Sequence, residues 1–336
     1  MNKVAFIITT INKPNNIMKL YAKMCKERLI DFYIIGDQKS PKNFDLKNSN
    51  YFSIKEQKKL DFTYAKKCVK NAYVRKNIGY LIAIKNGADV IIESDDDNIP
   101  KNFFFEDINI NKKCILLKNK KWVNIFTYFI KDKSKMIWPR GFPLDEIKSK
   151  SNFNGITKYI QAPVQQYLSD RDPDVDAIYR LTHQENDIKF LKKKSLGISK
   201  NTFSTFNSQN TRWFKLAFPL LYLPTCCSFR TCDIWRGLIA LRVLHLNNMS
   251  LTYSSATNIQ NRNIHNIFDN FKDEIPFYLK NKKIIEIIYS LKLKKGKNNI
   301  IPSMKLIYKA LIKATIFPRE EMVFFKYWVK DINKII

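Results

Sequence analysis

Glycine is scarce in this chain, at 8 of 336 residues. No G-x-G-x-x-G or G-x-x-x-x-G-K-[ST] run is present, which disfavours the glycine-rich phosphate cradles of dinucleotide-binding proteins and P-loop NTPases. Histidine is scarcer still: 3 copies, at His183, His245 and His265, none at zinc-ligand spacing. The 6 cysteines form no C-x-x-C pair, so free thiols in a reducing cytosol are expected. Long apolar runs are also missing. No stretch approaches the ~20 apolar residues of a membrane span. The nearest, Leu216–Cys227, is broken by Pro219 and Pro224. Val4–Ile8 is short and leads into Thr9, Thr10 and Asn12 without a cleavage-like site, so it reads as a first strand and not a signal peptide. Acidic residues are the minority: 30 against 59 Lys and Arg, a net charge of +29. Such a field attracts polyanions, whether nucleic acid, anionic lipid headgroups or phosphorylated substrates. Part of it reflects a bias toward lysine and asparagine.

What is present is a globular composition, 45% hydrophobic and 26% charged, enough for one large domain or a domain with an appendage. Residues 3–100 alternate strand and helix signals. Val4–Thr10, Phe32–Gly36, Tyr51–Ile54 and Ala88–Ile92 read as strands. Helices are expected from Pro14 to about Leu29 and over Tyr73–Lys85, the latter closed by Asn86-Gly87. This alternation implies a parallel α/β sheet, whose ligands bind beyond the carboxyl ends of the strands. Thr9-Thr10-Ile11-Asn12, Gly36-Asp37 and Ser94–Asp97 all fall at such ends.

The last of these is the most informative run. Asp95, Asp96 and Asp97 crowd three carboxylates where a buried strand ends. They repel one another and raise one another's pKa. The run reads either as a solvated acidic turn or as a seat for a hard divalent cation, Mg²⁺ or Mn²⁺. Residues two apart on an extended segment share a face, which makes Asp95 and Asp97 the natural metal pair.

Residues 101–210 mix aromatics and prolines with polar stretches and read as loops and short strands over the sheet edge. An apolar block and the helical segment Leu238–Leu246 follow. From about residue 262 lysines become dense and helices dominate. Lys305, Lys309 and Lys313 form a stripe on a broadly apolar helix, which fits docking on a core or lying on an anionic membrane. The expected division is a catalytic domain over 1–250 and a basic helical region over 251–336.

Several blocks resemble one family. Ile8-Thr9-Thr10-Ile11-Asn12, Gly36-Asp37-Gln38-Lys39-Ser40-Pro41, Arg75-Lys76-Asn77-Ile78-Gly79-Tyr80-Leu81-Ile82-Ala83-Ile84, Gly87-Ala88 and Asp95-Asp96-Asp97-Asn98 are similar to the STELLO-like glycosyltransferases. Leu223-Pro224, Ser228-Phe229-Arg230 and Asp233-Ile234-Trp235-Arg236-Gly237 resemble a second block of that family. The blocks run from residue 4 to about 245. The R-K-N-I-G-Y block is the specific part, and the aspartate triplet alone is not. The triplet is distantly similar to that of the reversibly glycosylated polypeptides. Plant members carry a membrane anchor and a longer chain, and no anchor is expected here.

The resemblance implies a GT-A-like fold, a Rossmann-type mixed sheet flanked by helices, here with a basic helical C-terminal appendage. It also implies a nucleotide-sugar donor, UDP-linked by preference, and Mn²⁺ or Mg²⁺ held by an Asp-x-Asp motif. On that reading Asp95 and Asp97 hold the metal, beside Asp96. Thr9, Thr10, Asn12 and Asp37 line the donor's base and ribose, and Arg75 and Lys76 neutralise its diphosphate. Asp233 is the general base, or a helix cap. Arg230 and Arg236 are either phosphate clamps or ion-pair partners of Asp233. Asp172, Asp174 and Asp176 either shape an acceptor site or form a turn.

The expected activity is transfer of a sugar to a glycan or lipid-linked acceptor in surface polysaccharide biosynthesis. It would take place in the cytoplasm, with the enzyme peripheral on the inner membrane face through its basic helices. Two alternatives remain. A nucleic-acid-binding or nucleotidyl-transfer protein would need basic residues lining a groove among aromatics; here they crowd the tail and no such motif is present, so no nucleic acid is expected. A sugar-nucleotide mutase would need a self-glycosylated arginine or a similar covalent intermediate.

Overall fold

The structure, a computed structural model, describes residues 2–119, 121–183, 187–263 and 266–336; His265 lies outside the described residues. Among these, eleven strands form one mixed sheet: β1 Val4–Thr9, β2 Asp31–Ile35, β3 Asn50–Phe52, β4 Val90–Ser94, β5 Asn98–Pro100, β6 Asn111–Leu117, β7 Gly155–Gln161, β8 Val164–Asp170, β9 Ser195–Ile198, β10 Asn210–Phe214 and β11 Leu251–Gln260. Their spatial order is β3-β2-β1-β4-β10-β8-β11-β9-β6-β7, with β5 paired on β11.

The β1–β4 half is parallel, as the strand-helix alternation implies. Its strands are apolar on both faces because helices cover both. The Asn16–Glu27 helix, capped by Asn15 through Met18 N at 2.8 Å, buries Met18 and Tyr21 on one face, beside Phe6 and Phe32. The Lys76–Lys85 helix covers the other. Gly79 lets it approach closely: a Cβ there would come within 2.7 Å of Ile7 Cγ2. One function of the R-K-N-I-G-Y block is therefore packing. A second is tethering. The Asn77 amide donates to Leu223 O at 2.9 Å and accepts from Leu223 N at 2.8 Å, joining the two sequence blocks.

Residues 101–210 depart from expectation. Instead of lying over the sheet edge, β6 to β9 enter the sheet itself. The pattern was hard to read for a physical reason. β8 is buried at six positions yet carries Gln165 and Gln166. Their amides bond backbone carbonyls, Gln165 to Asn109 O at 2.7 Å and Gln166 to Asn210 O at 3.2 Å, so polar residues sit where apolar ones announce a strand. β7, by contrast, is an exposed edge strand.

β10 runs antiparallel to β4 and β8, and β11 runs parallel to β8. The carboxyl ends of β1, β4, β8 and β11 therefore share one edge. β11 begins just past residue 250 and lies inside the sheet, so the sheet continues beyond the expected division. The C-terminal helices Ile267–Ser290, Ile300–Lys313 and Glu321–Ile332 dock on the same core as the Lys76–Lys85 side of the sheet. Met304, Ile307, Tyr308 and Leu311 are buried while Lys305, Lys309 and Lys313 are exposed, so the apolar face of that helix is spent on the core. Asp331 and Glu321 weld this region down, accepting from Tyr64 N (2.6 Å) and Cys226 N (2.6 Å). All six cysteines are free. No helix among the described residues is long and apolar enough to cross a membrane.

Candidate functional site

The shared edge gathers two charge clusters. The first surrounds the aspartates. After β4 the chain turns, with Asn98 N reaching Asp95 O at 3.4 Å, so Asp95–Asp97 form a turn and not the extended segment expected. Asp95 accepts from Lys76 Nζ at 3.1 Å and from the Tyr73 hydroxyl at 2.8 Å. Lys76 is fully buried, also bonded to Ser94 O at 2.9 Å and lying 4.5 Å over the Tyr73 ring. Asp96 turns the other way. It accepts from Thr10 Oγ1 and from Asn12 Nδ2 at 2.9 Å, while its backbone carbonyl takes Asn15 Nδ2 at 2.9 Å. The structure thus brings Thr10, Asn12, Lys76, Asp95, Asp96 and Asp97 into one place. Thr9 sits partly buried at the end of β1.

Asp97 is the least compensated of the three. Among the described residues its carboxylate bonds only neutral donors, Asn263 N at 3.2 Å and Asn98 Nδ2 at 3.2 Å. Burial, reinforced by the Asp95 charge, pushes its carboxyl up to about 7. Burial also raises Asp95, against the opposing pull of Lys76. Two desolvated carboxyls within electrostatic reach make a place that a cation would relieve. Among the described residues no three His, Cys, Asp or Glu side chains converge to hold a metal. A metal here would draw its remaining ligands from water and a bound phosphate, the usual arrangement for Mg²⁺.

Two residues expected here are placed otherwise. Arg75 is buried and faces away, bonding Gln57 Oε1 at 3.0 Å and Val69 O at 2.9 Å, with Asp37 at 3.9 Å. Asp37 spends its oxygens on Gln38 N (2.7 Å) and Ala72 N (2.8 Å). Both fix the loops that frame the edge, because a buried guanidinium takes whatever carbonyls and carboxylates lie nearest.

The second cluster occupies the β8 and β11 ends. Arg140 lies at its centre. It grips Asp233 with two nitrogens, at 3.0 and 2.8 Å, and Asp174 with a third at 2.9 Å. Arg230 bonds Glu274 at 2.8 Å and lies 3.6 Å from Asp174. Asp172 pairs with Arg180 at 2.6 Å. Asp176 caps the short helix Ala177–Thr182 through Tyr179 N at 2.8 Å and accepts from Trp138 Nε1 at 2.6 Å. Burial opposes ionisation of Asp233 and Asp174, but the Arg140 guanidinium outweighs it and holds both carboxyls below their ordinary range.

This corrects the expectation for Asp233. Both its oxygens are occupied, Oδ1 also by Ile234 N at 2.9 Å and Oδ2 also by Ser208 N at 3.2 Å. A carboxylate so stabilised as an anion is a poor base. Its partner is Arg140, not Arg230 or Arg236. Arg236 lies under the sheet, bonded to Glu93 at 2.7 Å, with Glu93 also accepting from Trp213 Nε1 at 2.7 Å.

Sequence reasoning missed Tyr73, Arg140, Ser208 and the Asn261–Asn263 segment. Tyr73 lies one turn before Lys76, while the others reach the edge from loops distant in sequence. The only trace was the aromatic- and proline-rich loop around Arg140 and the asparagines following β11.

With this geometry in view, the chain is an α/β protein similar to glycosyltransferases. The model of the STELLO glycosyltransferases matches residues 230–336. The chain is 26% identical over 260 residues to the probable glycosyltransferase STELLO1 of Arabidopsis thaliana, covering 71% of this chain and 33% of the relative. It is 28% identical over 230 residues to STELLO2 of the same plant, covering 62% and 30%. The resemblance read from the sequence blocks is thereby shown, and it extends past residue 245 into the C-terminal helices. The chain spans about a third of the length of these relatives. Among solved structures, a mycobacterial protein aligns with a TM-score of 0.45 at 7% identity, over 83% of this chain and 74% of that one. The glucosyl-3-phosphoglycerate synthase of M. tuberculosis aligns at 0.42 and 9%, over 83% and 80%.

Proposed function

We propose that the protein is a metal-dependent glycosyltransferase of GT-A type that takes a nucleotide sugar, UDP-linked by preference, and glycosylates a glycan or lipid-linked acceptor. The observation that carries this reading is the desolvated Asp95–Asp97 turn at the carboxyl edge of the sheet, set in a chain similar to the STELLO glycosyltransferases. Hard oxygen donors suit Mn²⁺ or Mg²⁺. Bound there, the ion would stabilise the negative charge that builds on the departing diphosphate.

This chain's own residues do the rest. Asp97 and Asp95 hold the ion. Asp96 anchors the turn to Thr10 and Asn12, fixing the end of β1 where the nucleoside would lie. Lys76 and Tyr73, both bonded to Asp95, would hold its carboxylate in place for the ion. Asp233, with Arg140, braces the acceptor side. The exposed lysines of the C-terminal helices would hold the protein to an anionic membrane, at about 1 kcal/mol each near the surface.

The test is a thermal-shift panel of UDP, GDP, CDP and TDP, each with and without Mn²⁺, on wild type and Asp97→Ala. A ligand of the folded state raises the midpoint by mass action. One nucleotide is expected to stabilise wild type only with Mn²⁺ and to leave Asp97→Ala unmoved. No shift with any of them would remove the reading.

A further inference from the structure

A line of hydroxyls joins the two clusters. The Tyr73 hydroxyl lies 2.8 Å from Asp95 Oδ1 and 2.6 Å from Ser208 Oγ, and Ser208 Oγ lies 3.3 Å from Asp233 Oδ2. Ser208 and Asp233 are buried, and the Phe229 ring packs edge-on against Tyr73 with centroids 5.4 Å apart. The line has three oxygen-to-oxygen links and two hydroxyl protons to fill them, because its two ends, as carboxylates, only accept. One link is therefore always without a proton. It is not the middle one: oxygens 2.6 Å apart are at hydrogen-bond distance and repel with no proton between them. Two arrangements remain. In the first, Tyr73 donates to Asp95 and Ser208 to Tyr73. In the second, Tyr73 donates to Ser208 and Ser208 to Asp233. The observed lengths favour the first, since 2.8 Å is an ordinary O–H···O bond and 3.3 Å is longer than one. Lys76 Nζ donates to the Tyr73 oxygen in either arrangement, and Arg140 and the Ser208 amide keep Asp233 bonded in both.

We propose that Tyr73 and Ser208 are positioning residues that form a two-state relay, which reverses its direction of donation when a divalent cation occupies the aspartate turn. With its charge drawn onto a cation, Asp95 becomes the weaker acceptor of the two carboxylates. Tyr73 then turns its proton to Ser208, and Ser208 turns its own to Asp233. No covalent bond forms or breaks, and each hydroxyl keeps its proton. Asp233 gains one hydrogen bond beside Arg140, so that filling of the metal turn is felt on the acceptor side. A ligand shifts a two-state equilibrium only by its differential affinity for the states. Here the difference is the Tyr73 bond to Asp95, which competes with the cation in the first arrangement and is absent from the second. The coupling of metal turn to acceptor side rests on the transferase reading; the relay itself does not.

The experiment follows the side-chain ¹³C carboxyl resonances of the full chain, labelled in aspartate, as Mg²⁺ is added in the presence of UDP. Asp97→Asn and Asp233→Asn assign the two resonances. In wild type the Asp233 resonance is expected to shift with the same midpoint as that of Asp97. In Ser208→Ala, Asp97 is expected to respond while Asp233 stays still. Ser208→Thr keeps the hydroxyl and is expected to restore the Asp233 response, which a merely structural role for Ser208 would not do. Tyr73→Phe cuts the same line and serves should Ser208→Ala fail to fold. An Asp233 response that survives both Ser208→Ala and Tyr73→Phe, or that is absent from wild type while Asp97 responds, would overturn the relay. A second measurement needs no cation: urea midpoints of Tyr73→Phe, Ser208→Ala and the double variant. The double variant is expected to lose less than the sum of the two single losses, because both remove the same Tyr73–Ser208 bond. Additive losses would overturn the relay. Non-additive losses with no Mg²⁺ response at either aspartate would support the relay and remove its coupling to a cation along with the metal-dependent transferase reading.

Discussion

The two ends of the ligand edge solve opposite electrostatic problems. At the β8 and β11 ends, carboxylates and guanidiniums are matched: Arg140 bridges Asp174 and Asp233, Arg230 adds to Asp174, and both acids are driven below their usual range. At the β4 end, Asp97 has only neutral donors among the described residues and is pushed up to about 7. Burial is common to both, so burial alone does not decide the outcome. What differs is how far protein cations offset burial: Arg140 outweighs it at Asp174 and Asp233, whereas Lys76 at Asp95 and Arg262 at Asp97 do not. The saturated cluster is a scaffold, and the less compensated one is where the proposed cation would sit.

Breaking the scaffold should cost most. Arg140→Ala leaves Asp233 buried without a bonded cation and Asp174 with Arg230 only, at 3.6 Å, and about 3–5 kcal/mol of stability is expected to be lost, read as a fall in the urea midpoint. A midpoint within error of wild type would show that the matched cluster contributes no more than an exposed one.

The next effect is a pH dependence. The Asp176 carboxyl is pushed up to about 7, chiefly by burial, against the Tyr179 and Trp138 hydrogen bonds that favour its charge. Glu274 adds repulsion and Arg230 attraction. The folded protein therefore keeps this proton over a range in which the unfolded chain, with its ordinary value of 3.8, has released it. The stability so gained is full below the unfolded value and is lost as pH rises toward about 7, with a slope of up to about 1.4 kcal/mol per pH unit. In thermal melts between pH 4.5 and 8, Asp176→Asn is expected to flatten that decline relative to wild type. Parallel curves would contradict the assignment.

At the unsaturated end, removing a charge should cost the apo protein little. Asp97→Ala is expected to change stability by about 1 kcal/mol or less, toward higher stability, because a desolvated carboxyl and its repulsion from Asp95 disappear. A large loss in the chemical denaturation curve would place Asp97 in the scaffold class. Smallest of all, the triple variant Lys305→Gln, Lys309→Gln, Lys313→Gln should leave the midpoint within about 0.5 kcal/mol. It should weaken sedimentation with phosphatidylserine vesicles, and unchanged sedimentation would free these helices from the membrane.

The β1–β4 half was legible because its strands are continuous apolar runs separated by helical periods, and its polar strand ends announced the edge. Thr10, Asn12, Lys76 and the aspartates do meet there. What was not legible depended on chain closure. Arg75 and Asp37 sit at the edge in sequence, yet local carbonyls and amides claim them. Asp233 read as a base or a cap because Arg140, 93 positions earlier, gives no local sign of reaching it. β8 hid behind its glutamines.

The claim that the β4 end awaits a cation is tested most directly by Mn²⁺ binding. Loss of the free Mn²⁺ electron paramagnetic resonance signal would be followed in the presence of UDP, for wild type and Asp97→Asn. The account predicts saturable uptake by wild type that is lost in Asp97→Asn without loss of fold. Equal uptake by both, or none by wild type, would contradict it.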